Sequence, residues 1–180
     1  MLDVHRRPQQ KSHLSGPLSP EPERHLRRHR RLSRRLWELI QLLLDHEVGV
    51  VQMPCPELCC LGLDRGDVHG ADRPVVEENT RIRRAMEKDG PRQKREALAD
   101  LVSEQVQEYR RHGFQVLGIV GANRSPNCGV ETTSDFDREV EGRGAFMEAI
   151  AQRLEAAGIS VPMLGLKSPD GAAQKVATLL

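Results

Sequence analysis

Residues 116–129 read Val-Leu-Gly-Ile-Val-Gly-Ala-Asn-Arg-Ser-Pro-Asn-Cys-Gly, and this stretch decides the fold prediction. The apolar, β-branched run at 116–120 is typical of a buried strand. A polar turn follows it directly and carries Ser125 and Cys128. Because ligands of parallel α/β sheets bind at the carboxyl ends of the strands, the sequence predicts a functional site at this turn.

The same arrangement occurs earlier in the chain. A valine-rich run predicts a strand over residues 48–53, and Pro-Cys-Pro-Glu follows at 54–57. Cys55 therefore lies just past the end of one predicted strand, and Cys128 lies just past the end of another. In a shared sheet, the two thiols face one another across the crevice at its edge.

Apolar residues at helical spacing precede each of three predicted strands. The sequence thus predicts three helix–turn–strand units, which span residues 34–53, 91–121 and 146–166. Repeated units of this kind form a parallel sheet covered by helices. We expect an α/β fold of three layers, with a mostly parallel, Rossmann-like sheet and helices on both faces.

The first 33 residues differ from the rest of the chain. They contain four prolines and almost no apolar periodicity. We therefore predict a disordered basic segment over 1–33 and a single α/β domain over 34–180. The basic stretch at 24–35 is either a nucleic-acid-binding arm or, as is more common for such runs, a solvated helix face.

The composition excludes several classes of protein. A net charge of +1 at pH 7 gives no strong field that would recruit nucleic acid or an acidic membrane. No apolar run approaches the roughly 18 residues of a membrane span, and no signal peptide is evident. We expect a cytoplasmic protein with reduced thiols, so its four cysteines are metal ligands, catalytic groups or inert.

The two motifs combine residues suited to chemistry. Prolines on both sides stiffen the backbone at Cys55, which suits a metal ligand. Glu57 is placed to exchange protons at the same site, or is a carboxylate at a helix start. Ser125 and Cys128 can converge on one ligand; the alternative is that Ser125 only caps the turn.

The residues after the first motif carry a weaker signal. Cys59 and Cys60 lie between leucines and indicate an apolar patch rather than a site. The insert at 61–90 is turn-rich, with a predicted helix from Pro74 to Met86. It is either a lid or substrate loop beside the first motif, or a peripheral helix pair.

Taken together, these residues resemble the thiouracil desulfurase-related desulfidase family. The resemblance rests on Gln-Met-Pro-Cys-Pro-Glu-Leu at 52–58, Leu-Gly-Leu at 61–63, Gly-Ala-Asn-Arg-Ser-Pro-Asn-Cys-Gly-Val at 121–130 and Gly-Arg-Gly-Ala-Phe at 142–146. It covers about residues 36–167. Cys-Pro-Glu and Ser-Pro-x-Cys-Gly at strand ends, in this order, form a fairly specific pair.

The resemblance implies an enzyme that removes sulfur from a small thiocarbonyl compound. It implies a 4Fe-4S cluster held by three cysteines, with one iron open to the sulfur of the substrate. Cys55 and Cys128 match two of these ligands. Glu57 matches the acid/base position of the family, and Ser125 matches its hydroxyl position.

The chain departs from the family at its N-terminal side. The third family cysteine follows a first strand, but residues 1–54 contain no cysteine. We expect the sheet to lack that strand and to expose an aggregation-prone edge. We also expect the chain to bind a cluster poorly. Three explanations for the missing third cysteine stay open. The reading frame is shifted or the start is misassigned, Cys59 or Cys60 takes the place of the third ligand, or the chain is a relative of the family that has lost its cluster. The alternative function is a non-catalytic module that binds a metal or sulfur.

Overall fold

The computed structural model describes residues 37–180 of the chain. The predicted disordered segment over 1–33 lies outside the described residues. The helices are α1 (described over 37–45), α2 (Pro56–Leu61), α3 (Val75–Met86), α4 (Asp89–Arg111), α5 (Ala145–Ala156) and α6 (Ala172–Val176), with 3₁₀ turns at Gly70–Asp72 and Ala177–Leu179. The strands are β1 (Ile119–Ala122), β2 (Thr132–Asp135), β3 (Arg138–Glu141) and β4 (Met163–Leu166).

The described residues fall into two compact units. The larger comprises Gln52–Lys167 with Leu179, and it holds α2 to α5 and all four strands. The smaller comprises 37–51, Ser168–Thr178 and Leu180, and it holds α1 and α6. Both functional motifs of the sequence lie in the larger unit.

A parallel pair of strands confirms the mixed α/β class. β1 pairs with β4 in a register that places Ile119 opposite Met163 and Ala122 opposite Leu166. The helix before each strand also forms, as α4 before β1 and α5 before β4. The second and third predicted helix–turn–strand units are therefore confirmed, although β1 begins three residues after the start of the predicted run at 116–120 and ends two residues past it, and β4 is shorter than predicted.

The strand predicted over 48–53 is wrong. These residues take no regular secondary structure, and the side chains of Val50 and Val51 are 51% and 50% exposed. A strand needs hydrogen-bonded neighbours on a ladder. Among residues 37–180, the ladders join only β1 with β4 and β2 with β3. The valine-rich pattern therefore reports β propensity at a place where the fold supplies no partner.

β2 and β3 form an antiparallel hairpin that no pattern in the sequence predicts. β2 and β3 pair from Thr132 opposite Glu141 to Asp135 opposite Arg138. Phe136 and Asp137 form the two-residue turn, with φ of 50° and 57°. Two successive left-handed residues are typical of a type I′ turn, which usually contains Asn or Gly. Phe-Asp lacks that signature, so the pattern of residues does not show the hairpin.

The core of the larger unit lies between α4, α5 and the strands. α4 packs against α5, and the buried side chains are Ala99, Val102, Val106, Ile119, Cys128, Val130, Phe146, Met147, Ala149, Ile150 and Leu154. Arg153 on α5 binds Asp100 and Glu96 on α4 at 2.6 and 3.0 Å along the edge of this contact. Cys128 belongs to this core, so the second motif is anchored by apolar packing.

Close packing at Gly144 yields a testable prediction. A Cβ at this position would lie 2.5–2.6 Å from the backbone carbonyl group of Asn127. Gly144→Ala should therefore lower the free energy of unfolding by about 1–3 kcal/mol, the usual cost of overpacking. Urea denaturation curves, monitored by circular dichroism, measure this change in the free energy of unfolding.

The exposed Gly49 provides the control, because a Cβ there meets nothing within 4 Å. Gly49→Ala should change the free energy of unfolding by less than about 0.5 kcal/mol, as substitutions at open surface positions do. Equal stability of Gly144→Ala and the unchanged chain would contradict the close contact with Asn127.

Candidate functional site

The first motif forms the start of helix α2. Cys55 is its N-cap residue and Pro56 occupies the first helical position, where a missing N–H costs nothing. The Cys55 Sγ accepts a hydrogen bond from the Leu58 N–H at 3.4 Å. Glu57, in the first turn, is only 8% exposed. The sequence Cys-Pro-Glu therefore fixes a thiol at the helix end and a carboxyl group beside it.

The second motif forms a tight turn after β1. The Ser125 Oγ accepts hydrogen bonds from the backbone N–H groups of Asn127 at 3.3 Å and Cys128 at 3.0 Å. The Cys128 carbonyl in turn accepts from the Ala122 N–H at 2.8 Å. The turn is thus closed by its own serine and tied back to the strand, which confirms that Ser125 caps the turn.

Glu57 joins the two motifs. Its Oε1 accepts hydrogen bonds from the Ser125 Oγ at 3.4 Å and the Asn127 Nδ2 at 3.2 Å. Its Oε2 accepts from the Arg65 Nε at 2.7 Å. The carboxyl group therefore receives three side-chain hydrogen bonds, one of them from a cation at a charge-assisted distance. The structure therefore brings together Glu57 and Ser125, which lie 68 positions apart in the sequence.

Arg65 lies in the insert after α2, and a hydrogen bond from a second arginine stabilises its position. Its backbone is in the left-handed region with φ of 54°. Its carbonyl accepts a hydrogen bond from the Arg81 Nη2 at 2.9 Å, and Arg81 binds Glu78 at 2.6 Å. The first part of the insert therefore supplies a cation to the site, whereas its second part is the helix α3 that the sequence predicts.

Asn127 holds the turn against α5. Its carbonyl accepts the Phe146 N–H at 3.1 Å and the Met147 N–H at 3.0 Å. Its side chain donates to Glu57, as described, while its Oδ1 is buried and receives no hydrogen bond from residues 37–180. Asn127 therefore links the start of α5 to the carboxylate on α2.

Burial controls the acidity of Cys128. The residue is 6% exposed, and its burial raises the pKa of its thiol to about 12, with further contributions from the charges of Glu57 and Cys55. Burial also raises the pKa of the Cys55 thiol, while the Leu58 N–H and Arg65 act against that rise. Both groups are thus neutral thiols at pH 7, and a bound cation would be needed to hold them as thiolates.

The two remaining cysteines lie apart from this arrangement of hydrogen bonds. All four cysteines of the chain are free thiols. The Cys60 Sγ donates to the Pro91 carbonyl at 3.4 Å, at the start of α4. Within residues 37–180, no group of three or more His, Cys, Asp or Glu side chains is arranged to hold a metal ion.

Sequence reasoning missed Arg65 and Asn127. Asn127 occupies the variable position of the Ser-Pro-x-Cys-Gly motif, so only its position next to Cys128 could have suggested a role. Arg65 stands eight residues after Glu57 in a turn-rich segment, and nothing in that spacing indicates an ion pair. Both contacts depend on how separate segments fold together.

Comparisons with known proteins leave the family open. No family model matches the chain. A Methanocaldococcus jannaschii protein named "Uncharacterized protein MJ0003" is 26% identical over 118 residues, which are 63% of this chain and 67% of that protein. No solved structure matches. No helix among the described residues is long and apolar enough to cross a membrane.

The raised pKa of Cys128 predicts alkaline sensitivity. The folded chain binds the thiol proton more tightly than the unfolded chain, whose thiol has a pKa near 9.0. The stabilisation is fully present below that value and is lost as the pH rises towards about 12. Between pH 8 and 10.5 the metal-free protein should lose about 2 kcal/mol of unfolding free energy through this group.

Denaturation curves at the two pH values measure this slope. Cys128→Ser should remove about 2 kcal/mol of pH dependence. The control Cys59→Ser should keep the dependence of the unchanged chain. An unaltered slope in Cys128→Ser would show that other groups cause the alkaline loss.

The ion pair of Glu57 yields a second prediction for the site. Arg65→Met should destabilise the chain by about 1–3 kcal/mol, because it leaves a buried carboxylate without its cation. Adding Glu57→Gln should recover part of the loss, since a neutral amide needs no cation. Urea denaturation at pH 7 measures both.

Arg143 is a matched control for Arg65. The two arginine side chains are each 43% exposed, but Arg143 binds Glu148, whose side chain is 44% exposed, whereas the side chain of Glu57 is 10% exposed. Arg143→Met should therefore cost less than about 0.5 kcal/mol, as solvated ion pairs do. Equal losses of unfolding free energy in Arg65→Met and Arg143→Met would contradict the claim that Glu57 is a buried carboxylate that needs its cation.

Proposed function

We propose that the chain is a desulfidase-type protein that removes sulfur from a small thiocarbonyl compound. In this proposal Cys55 and Cys128 are metal ligands, Glu57 is the acid/base group and Ser125 is the hydroxyl that works with it. The observation that carries the proposal is the convergence of Ser125 and Asn127 on Glu57. It joins the two sequence motifs that resemble the desulfidase family.

The donor chemistry at the two motifs fits an iron–sulfur cluster. Thiolates are its preferred ligands. The Leu58 N–H already points at the Cys55 Sγ, as in a sulfur ligand stabilised by a backbone amide. The buried Cys128 thiol needs a cation to ionise, and a cluster would provide one. When bound, the cluster would supply a Lewis-acidic iron for the sulfur of the substrate.

The number of donors falls short of the three cysteines that the resemblance implies. Cys55 and Cys128 supply two thiols, and the described residues include no group of three metal-binding side chains. Cys60 is engaged with the Pro91 carbonyl, which disfavours it as the replacement. We therefore expect incomplete binding of the cluster by this chain.

The residues at the site are arranged for proton movement. Two backbone N–H groups donate to the Ser125 Oγ, which itself donates to the Glu57 Oε1 at 3.4 Å. The N–H donors stabilise negative charge on the Ser125 oxygen, which lowers the cost of giving its proton to Glu57. Arg65 holds the Glu57 carboxyl group in place through its Oε2. In this proposal Glu57 accepts protons, and Ser125 is the group that passes protons to it.

The proposal also includes a three-layer fold and a cytoplasmic location. A three-layer arrangement is supported by the parallel β1–β4 pair and by α4 and α5, which share its apolar core. A reducing, cytoplasmic compartment is supported by four cysteines that are all free thiols.

A non-catalytic metal- or sulfur-binding module is the second candidate function. The short count of thiol ligands favours it, because two thiolates can bind a single ion together with ligands from solution, whereas the resemblance implies three cysteines for a cluster. Purified protein that carries zinc and takes up no iron would support this candidate over the desulfidase.

Iron and acid-labile sulfide per chain, after anaerobic reconstitution, test the ligand assignment. We expect iron and sulfide well below the four of each that a full cluster contains. Cys55→Ser and Cys128→Ser should each abolish this uptake, because either change removes a thiolate ligand. The control Cys59→Ser should take up as much iron as the unchanged chain.

Sulfide release from 2-thiouracil, used as a probe thiocarbonyl compound, tests the reaction. Glu57→Gln should keep its iron and lose about 100-fold or more in sulfide release per iron, the usual contribution of a general base. Iron content unchanged by Cys55→Ser would overturn the ligand assignment. Sulfide release unchanged by Glu57→Gln would overturn the role of the carboxylate.

A further inference from the structure

Arg124 lies where both parallel strands end. β1 ends at Ala122 and β4 ends opposite it at Leu166, and the Asn123 N–H extends the ladder by donating to the Leu166 carbonyl at 2.9 Å. Arg124 follows β1 and Lys167 follows β4. Two cations thus meet at the carboxyl edge of the sheet, the usual position for ligands of a parallel sheet.

The backbone of Arg124 is held in an unfavourable conformation. Its φ of 70° lies in the left-handed region, which a side chain disfavours. Its carbonyl accepts hydrogen bonds from the Asn79 Nδ2 at 3.0 Å and the Ser134 Oγ at 2.6 Å. Its N–H donates to the Thr132 carbonyl at 3.0 Å. Two separate elements, α3 and β2, therefore fix where this side chain begins, and a strained residue held so firmly often serves a ligand.

The guanidinium group of Arg124 has no partner in the described structure. Its Nε is buried without a hydrogen bond, and no ion pair of the described residues includes this side chain. Glu139 is near enough for the Arg124 charge to help lower its pKa, but the Lys167 Nζ already binds its two oxygens at 2.9 and 2.7 Å. Lys167 thus occupies the carboxylate that would otherwise pair with Arg124.

The other neighbouring carboxylate is also occupied. The Glu131 side chain accepts the Gly165 N–H at 3.1 Å and the Asn123 Nδ2 at 2.6 Å. Glu139 and Glu131 balance the charges of Lys167 and Arg124, but both carboxylates are bound by other donors, and the Arg124 charge lies on a planar group suited to two oxygens at once. Ser125 of the candidate site is the next residue along the chain.

We propose that Arg124 binds an anionic group with paired oxygens, a phosphate or a carboxylate of a small molecule, at the carboxyl edge of the β1–β4 sheet. The site requires no metal and no cluster. Its existence is therefore independent of the desulfidase proposal, and either can fail without the other. The neighbouring carboxylate–lysine pair limits the site to one anionic group.

Titration of the full chain with inorganic phosphate at constant ionic strength tests the site. Amide NMR signals of residues 123–125 and 166–167 report it, and a parallel titration with acetate distinguishes phosphate from carboxylate recognition. We expect saturable shifts with one of the two anions. Arg124→Gln should weaken binding about tenfold, the scale of a lost charge-assisted pair. Arg124→Lys keeps the positive charge but loses the planar guanidinium group, so its affinity for the anion should lie between that of Arg124→Gln and that of the unchanged chain.

Two further variants separate a built site from general surface charge. Arg138→Gln removes an exposed cation on β3 and should leave the affinity unchanged. Glu139→Gln frees Lys167 and should tighten binding severalfold. The proposal fails if neither anion gives saturable shifts, if Arg124→Gln binds as the unchanged chain does, or if Arg138→Gln weakens binding as much.

Discussion

The carboxylate of Glu57 is the point at which separate segments of the larger unit meet. It is buried at the first turn of α2 and receives hydrogen bonds from Ser125 and Asn127 of the turn after β1 and from Arg65 of the insert. A buried charge is costly unless it is paired and hydrogen-bonded. The position of each donor is therefore constrained by the same anion, and the site forms only when all three segments are in place.

Close packing makes this arrangement rigid. Gly144 allows the start of α5 to contact the Asn127 backbone, and Gly121 allows β1 to approach the Cys128 carbonyl, where a Cβ would lie 2.3 Å away. The same core buries the Cys128 side chain and raises the pKa of its thiol. Packing thus determines both where the second motif lies and the chemical state of its sulfur. The insert contributes charge instead, through Arg65 and through Arg81, which binds the Arg65 carbonyl.

Local signals in the sequence predict part of this structure. Helical periodicity predicts α4 and α5, and the apolar run at 116–120 predicts β1 to within a few residues. The strand over 48–53 fails because β propensity does not supply a pairing partner. The hairpin of β2 and β3 is missed because its Phe-Asp turn lacks the usual residues. In the site, Glu57 and Ser125 follow from their motifs, but Arg65 and Asn127 depend on contacts between distant segments.

A double-mutant cycle between Glu57 and Asn127 tests most directly whether the carboxylate joins the two motifs. Urea denaturation of Glu57→Ala, Asn127→Ala, the double variant and the unchanged chain gives the coupling energy of the pair. The account predicts a favourable coupling of about 1 kcal/mol or more, as expected for a hydrogen bond to a buried charge. Additive effects, with coupling near zero, would show that α2 and the turn after β1 fold without this link and would contradict the account.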